Sequence, residues 1–168
     1  TPLNEGRWVL PTSTWRSWDG DSSDGSRMVA LVSSDRGASW PEYWSVLHDS
    51  EQSTFFWESK IIELPDGRLL AAAWAYDAAK AADRPNHHTL SKDGGVTWLP
   101  PRSTELCGQS LAPIALKDGR ILSVFRRMET PGLWPCLSHL EGDAGVNYSL
   151  TPLWGANRSE FKGVSANM

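Results

Sequence analysis

Residues 91–98 read Ser91-Lys92-Asp93-Gly94-Gly95-Val96-Thr97-Trp98. Residues 33–40 repeat the frame as Ser-Ser-Asp-Arg-Gly-Ala-Ser-Trp, so both fit Ser-x-Asp-x-Gly-x-[Ser/Thr]-Trp. Residues 141–148, Glu-Gly-Asp-Ala-Gly-Val-Asn-Tyr, read as a third, eroded copy. Asp35, Asp93 and Asp143 lie 58 and 50 residues apart, a period that fits a four-stranded propeller blade with loop insertions. The residue types suit a plug that closes a hairpin. A carboxylate accepts bonds from backbone N–H groups and hydroxyls, the glycine supplies a positive φ, and the Trp buries a large ring between strands. Such a turn is structural; it is not chemistry on a substrate.

A second element keeps the same period. Asp66-Gly67-Arg68-Leu69-Leu70 and Asp118-Gly119-Arg120-Ile121-Leu122 are tight turns feeding apolar strands. Glu5-Gly6-Arg7 fills the same slot, and Gly6, Gly67 and Gly119 are 61 and 52 residues apart. Short apolar runs between turn residues then predict strands over 7–15 and 27–33, with another after Trp40. A second set is expected over 60–64, 68–76 and 86–90 and from Trp98 onward. A third is expected over 112–116, 120–126, 133–140 and 148–153. The expected fold class is all-β. The chain divides into blade modules at about 1–57, 58–108 and 109–158, with 159–168 an inner strand of a next blade.

Composition bounds the partners. A net charge of −4 argues against a nucleic-acid partner held by phosphate neutralisation. No run of about 20 apolar residues exists, so no membrane-spanning helix is expected. Ten Trp residues suit repeated blade cores, a carbohydrate-binding surface, or both. Cys107 and Cys136 carry no readable pairing. Asn147 and Asn157 match the glycosylation acceptor pattern, which is common by chance. The sequence leaves the compartment unassigned.

These repeats resemble the sialidase superfamily, whose members carry such Asp-boxes on a six-bladed propeller. The resemblance covers most of the chain, which would supply about three four-stranded blades. It implies an active site at one end of the propeller axis. There an arginine triad binds the substrate carboxylate, a Tyr paired with Glu is the nucleophile, and an Asp is the acid/base; sialidases are an exception to the two-carboxylate scheme. The Arg-Ile-Pro motif that carries the family's first arginine is absent from this sequence, and no residue is assigned that role.

On this geometry the plug turns and the Asp-Gly-Arg turns share one end, and function belongs to the opposite, loop end. Residues 15–19, residues 74–77 and Arg126-Arg127-Met128 fall there. The expected catalytic residues are Glu58, Asp77 and Tyr76, with Asp77 as acid/base and Tyr76 as nucleophile. The expected substrate-binding residues are Arg16, Trp74, Gln109, Arg126, Arg127 and His87. Glu58 and Gln109 each precede a Ser at the head of an innermost strand. Alternatives stay open: Asp77 as a turn residue, Glu58 as a loop cap, Arg126 and Arg127 as partners of surface carboxylates, and Trp74 as core. No cofactor or metal is expected, because His87 and His88 are adjacent and point to opposite faces of a strand.

The implied function is a sialidase-like exo-glycosidase, or half of one, acting on an acidic sugar; the alternative is a non-catalytic propeller binding a glycan or a protein. Three modules leave strand edges exposed. The expected remedy is a homodimer of six blades in which residues 161–168 supply the partner's missing inner strand, the alternative being more blades on the same polypeptide.

Overall fold

The computed structural model describes residues 1–14, 27–51 and 53–150, the side chains of 148–150 excepted. Residues 15–19 with Arg16, Asn157 and the tail 161–168 lie outside the described residues. Among the described residues, eleven strands form three antiparallel sheets. The first sheet is β1 (Trp8–Ser13), β2 (Met28–Ser33) and β3 (Glu42–Leu47) in that order. The second is β4 (Thr54–Glu63), β5 (Leu69–Asp77), β6 (Ala82–Ser91) and the two-residue β7 (Arg102–Ser103). The third is β8 (Gln109–Ala115), β9 (Ile121–Arg127), β10 (Gly132–Glu141) and β11 (Ala144–Leu150). β7 is short because Pro100 and Pro101 cannot donate to a ladder. Among the described residues, no helix is long and apolar enough to cross a membrane.

The second sheet is packed on both faces, which explains the run Leu69-Leu70-Ala71-Ala72-Ala73. Leu69, Ala71, Ala73 and Ala75 join a core with Val9, Met28, Val32 and Phe56. Leu70 and Ala72 join another with Leu106, Leu111, Ile121 and Phe125. Small alanines let three sheets stack around one strand.

Two of the expected plugs form as read. The Ser91 hydroxyl donates to Asp93 Oδ1 (2.8 Å), and Asp93 accepts the Thr97 backbone N–H (2.9 Å) and hydroxyl (2.6 Å). Asp35 holds Ser33 and Ser39 in the same way. Bonds from Ser39 and Thr97 first, then from Ser33 and Ser91, hold both carboxyls down to about 2. Each turn also serves its neighbour. Arg7 donates to the Gly94 carbonyl (2.9 Å) and lies over the Trp44 ring, while Trp98 meets Trp44 at 6.4 Å.

The third copy is not a plug. Glu141 pairs directly with Ala144, so Gly142 and Asp143 form a two-residue hairpin turn. The reason is chemical: Glu141 and Asn147 stand where the other copies have a Ser and a Ser or Thr hydroxyl. Asp143 is left to pair outward with Lys92 (3.1 Å) and Arg68 (3.8 Å), tying the third sheet to the second.

Candidate functional site

Antiparallel order puts the Asp35, Asp66, Asp93 and Asp118 turns at one end of the sheets. The starts of β4, β6, β8 and β10 and the ends of β5 and β9 share the other end.

β4 begins at Thr54, earlier than its sequence suggests, because Phe55, Phe56 and Trp57 continue the ladder against Tyr76, Ala75 and Trp74. The ladder then slips between Trp57 and Lys60. β8 slips likewise between Gln109 and Ala112. Each slip holds one non-glycine residue at positive φ: Glu58 at 49° and Ser110 at 57°. Glu58 therefore sits inside its strand on a bulge, not at the strand's head, and its structural counterpart is Ser110 rather than Gln109. Such bulges re-aim side chains. Here they bring the Ser110 hydroxyl to Glu58 Oε2 at 2.6 Å.

Beside this pair runs a polar chain that the sequence did not announce. Trp74 Nε1 donates to Asp83 Oδ1 (3.0 Å), and Gln109 Nε2 reaches Asp83 Oδ2 (3.5 Å). Arg126, the ladder partner of Gln109, donates through Nη2 to Gln109 Oε1. Arg126 Nε is buried without a partner among the described residues. Trp74 also meets Trp57 edge-on at 4.9 Å, and Tyr76 stacks on Trp57 at 5.0 Å. Glu58, Trp74, Gln109 and Arg126 thus come together, and Tyr76 flanks them.

The other candidates stand apart. Asp77 is buried and accepts Arg84 Nη2 (2.6 Å) and Nε (3.0 Å) together with the backbone N–H groups of Ala79 and Lys80. Arg84 above all, then the Lys80 N–H, holds its carboxyl below the usual range. Of its two open readings, this is the geometry of a turn residue. His87 pairs with Ala73, so it lies on the face of the second sheet that meets the first. Burial pushes its pKa down, and Nδ1 contacts the Pro85 carbonyl at 2.8 Å. His88 points the opposite way, to the Asp143 carbonyl. Arg127 lies over the Trp134 ring at 4.6 Å, with Glu129 at 3.8 Å. Cys107 is exposed and Cys136 buried, both as free thiols.

Two solved structures are similar to this chain in fold. A protein of unknown function from Dyadobacter fermentans DSM 18053 superposes with a TM-score of 0.65 at 21% identity, over 89% of this chain and 40% of its own. The Hadza microbial sialidase Hz136 superposes with a TM-score of 0.64 at 13% identity, over 89% of this chain and 36% of its own. The likeness is one of fold. The chain spans well under half the length of either protein. No family model matches the sequence, and no curated protein does.

The sequence placed Glu58 and Gln109 at the heads of inner strands and Arg126 at the loop end, and the fold brings the three near one another, with Ser110 rather than Gln109 as the counterpart of Glu58. The sequence missed Asp83. Nothing local marks that residue, because its partners come from the preceding strand of its own sheet and from the third sheet.

Proposed function

We propose that this chain is a segment of a sialidase-like glycoside hydrolase that acts on an acidic sugar at the loop end of a six-bladed propeller. The observation that carries the reading is the joining of Glu58, Gln109 and Arg126 at one mouth beside Trp57, Trp74 and Tyr76. The likeness of fold to a sialidase supports it. A guanidinium matches a carboxylate, rings suit the apolar face of a pyranose, and Glu58 is a carboxylate aimed by its bulge.

A non-catalytic glycan-binding role is the second reading. Asp77, committed to Arg84, favours it, as does Tyr76, which faces rings and has no carboxylate partner among the described residues. Turnover of a fluorogenic sialoside, abolished by Glu58→Gln, supports hydrolysis. Saturable binding of the sugar without turnover supports the second reading. A folded protein that neither binds nor cleaves acidic glycosides overturns both.

Six blades need more sheets than the described residues form. The homodimer supplies them from a second copy; a folded monomer of 18.6 kDa in light scattering overturns that assembly.

A further inference from the structure

The polar chain through Asp83 carries a second step. The inference rests on the reading of this mouth as an acidic-sugar site. We propose that Asp83 is a positioning residue: it fixes the orientation of the Gln109 amide and so prepares Arg126 for the sugar carboxylate.

An ionised carboxylate only accepts hydrogen bonds. One Asp83 oxygen takes the Trp74 indole N–H at 3.0 Å. The other faces Gln109 at 3.5 Å, so the Gln109 end turned toward it must be the NH₂. That leaves Gln109 Oε1 facing Arg126, where it accepts from Nη2. One nitrogen of the guanidinium is anchored and the remaining N–H groups keep a fixed plane. Reversing the amide would set its NH₂ against a guanidinium that has donors alone. Asp83 is exposed, so its side chain supports no core. Its charge also repels an anionic ligand, which gives the role a distinctive sign.

The test is Asp83→Asn. The new amide keeps an oxygen for Trp74 but turns an NH₂ toward Gln109. The Gln109 NH₂ then meets a donor in either orientation, the new amide in one and Arg126 in the other, so Gln109 is no longer held in a single orientation. N-acetylneuraminic acid should then bind about tenfold more weakly, although a negative charge has been removed. The double variant Asp83→Asn with Gln109→Glu restores the wild-type charge and an acceptor facing both neighbours, and it should recover most of the affinity. Tighter or unchanged binding in Asp83→Asn overturns the proposal, since a charge acting alone predicts the first and a passive surface residue the second. If the wild type binds no acidic sugar, the functional reading fails. The positioning is then read in the free protein: the Gln109 side-chain amide and Trp74 indole N–H resonances should both move in Asp83→Asn. Their failure to move overturns the positioning.

Discussion

Ser110 Oγ lies 2.6 Å from Glu58 Oε2, and both residues hold positive φ on matching bulges of β8 and β4. A non-glycine residue in this region is strained by about 1–2 kcal/mol. Glu58→Gly should relieve that strain and leave stability equal to wild type or higher by up to ~1 kcal/mol in urea unfolding. Binding or cleavage of an acidic sugar should disappear in the same variant. A clear loss of stability would show that Glu58 belongs to the scaffold rather than the site.

The plug aspartates give the protein an acid limit. Asp35 and Asp93 have folded-state values of about 2, depressed from 3.8. Their contribution is complete above the unfolded value and is lost as pH falls through the folded one. Stability should therefore drop between about pH 4 and pH 2. Asp93→Asn should flatten this part of the profile, because the remaining amide does not titrate. An unchanged acid limb in the Asp35→Asn, Asp93→Asn double variant would place the acid sensitivity elsewhere.

How far the sequence could be read follows from distance along the chain. The plugs at Asp35 and Asp93 were legible because each carboxylate finds its partners within four residues, at Ser33 and Ser39 or Ser91 and Thr97. The copy at Asp143 misled because it keeps the Asp and Gly but not the hydroxyls, so a tighter hairpin forms. The sheets themselves were legible from turn spacing. The Trp57–Lys60 bulge was not, since a slip in register depends on the facing strand. Asp77 and Asp83 show the same limit. Both are acidic residues near a strand end, and only the fold gives one to Arg84 and the other to Trp74 and Gln109.

The contact between the first and second sheets depends on a glycine. A Cβ on Gly95, at φ +98°, would be driven into the Trp44 ring, whereas one on Gly119, at φ +86°, meets nothing within 4 Å. Gly119→Ala should cost about 1 kcal/mol, from backbone strain alone. Gly95→Ala adds overpacking to that strain and should cost ~2–4 kcal/mol. Equal midpoints in denaturant for the two variants would mean that Trp44 yields freely and does not lock the sheets together.

Arg126 and Arg127 are neighbours in sequence with different surroundings, which separates their roles. Arg126 is anchored to Gln109, while Arg127 lies over Trp134 with Glu129 nearby. Lysine keeps the charge but loses the planar fork and its stacking. Arg126→Lys should therefore weaken binding of an acidic sugar by about tenfold with little change in stability. Arg127→Lys should leave that affinity close to wild type and lower stability by ~0.5–1 kcal/mol through the lost ring contact. Isothermal titration against N-acetylneuraminic acid, with thermal unfolding alongside, reads both effects. The reverse pattern, with affinity lost at Arg127 and kept at Arg126, would move the carboxylate clamp off the Gln109 network.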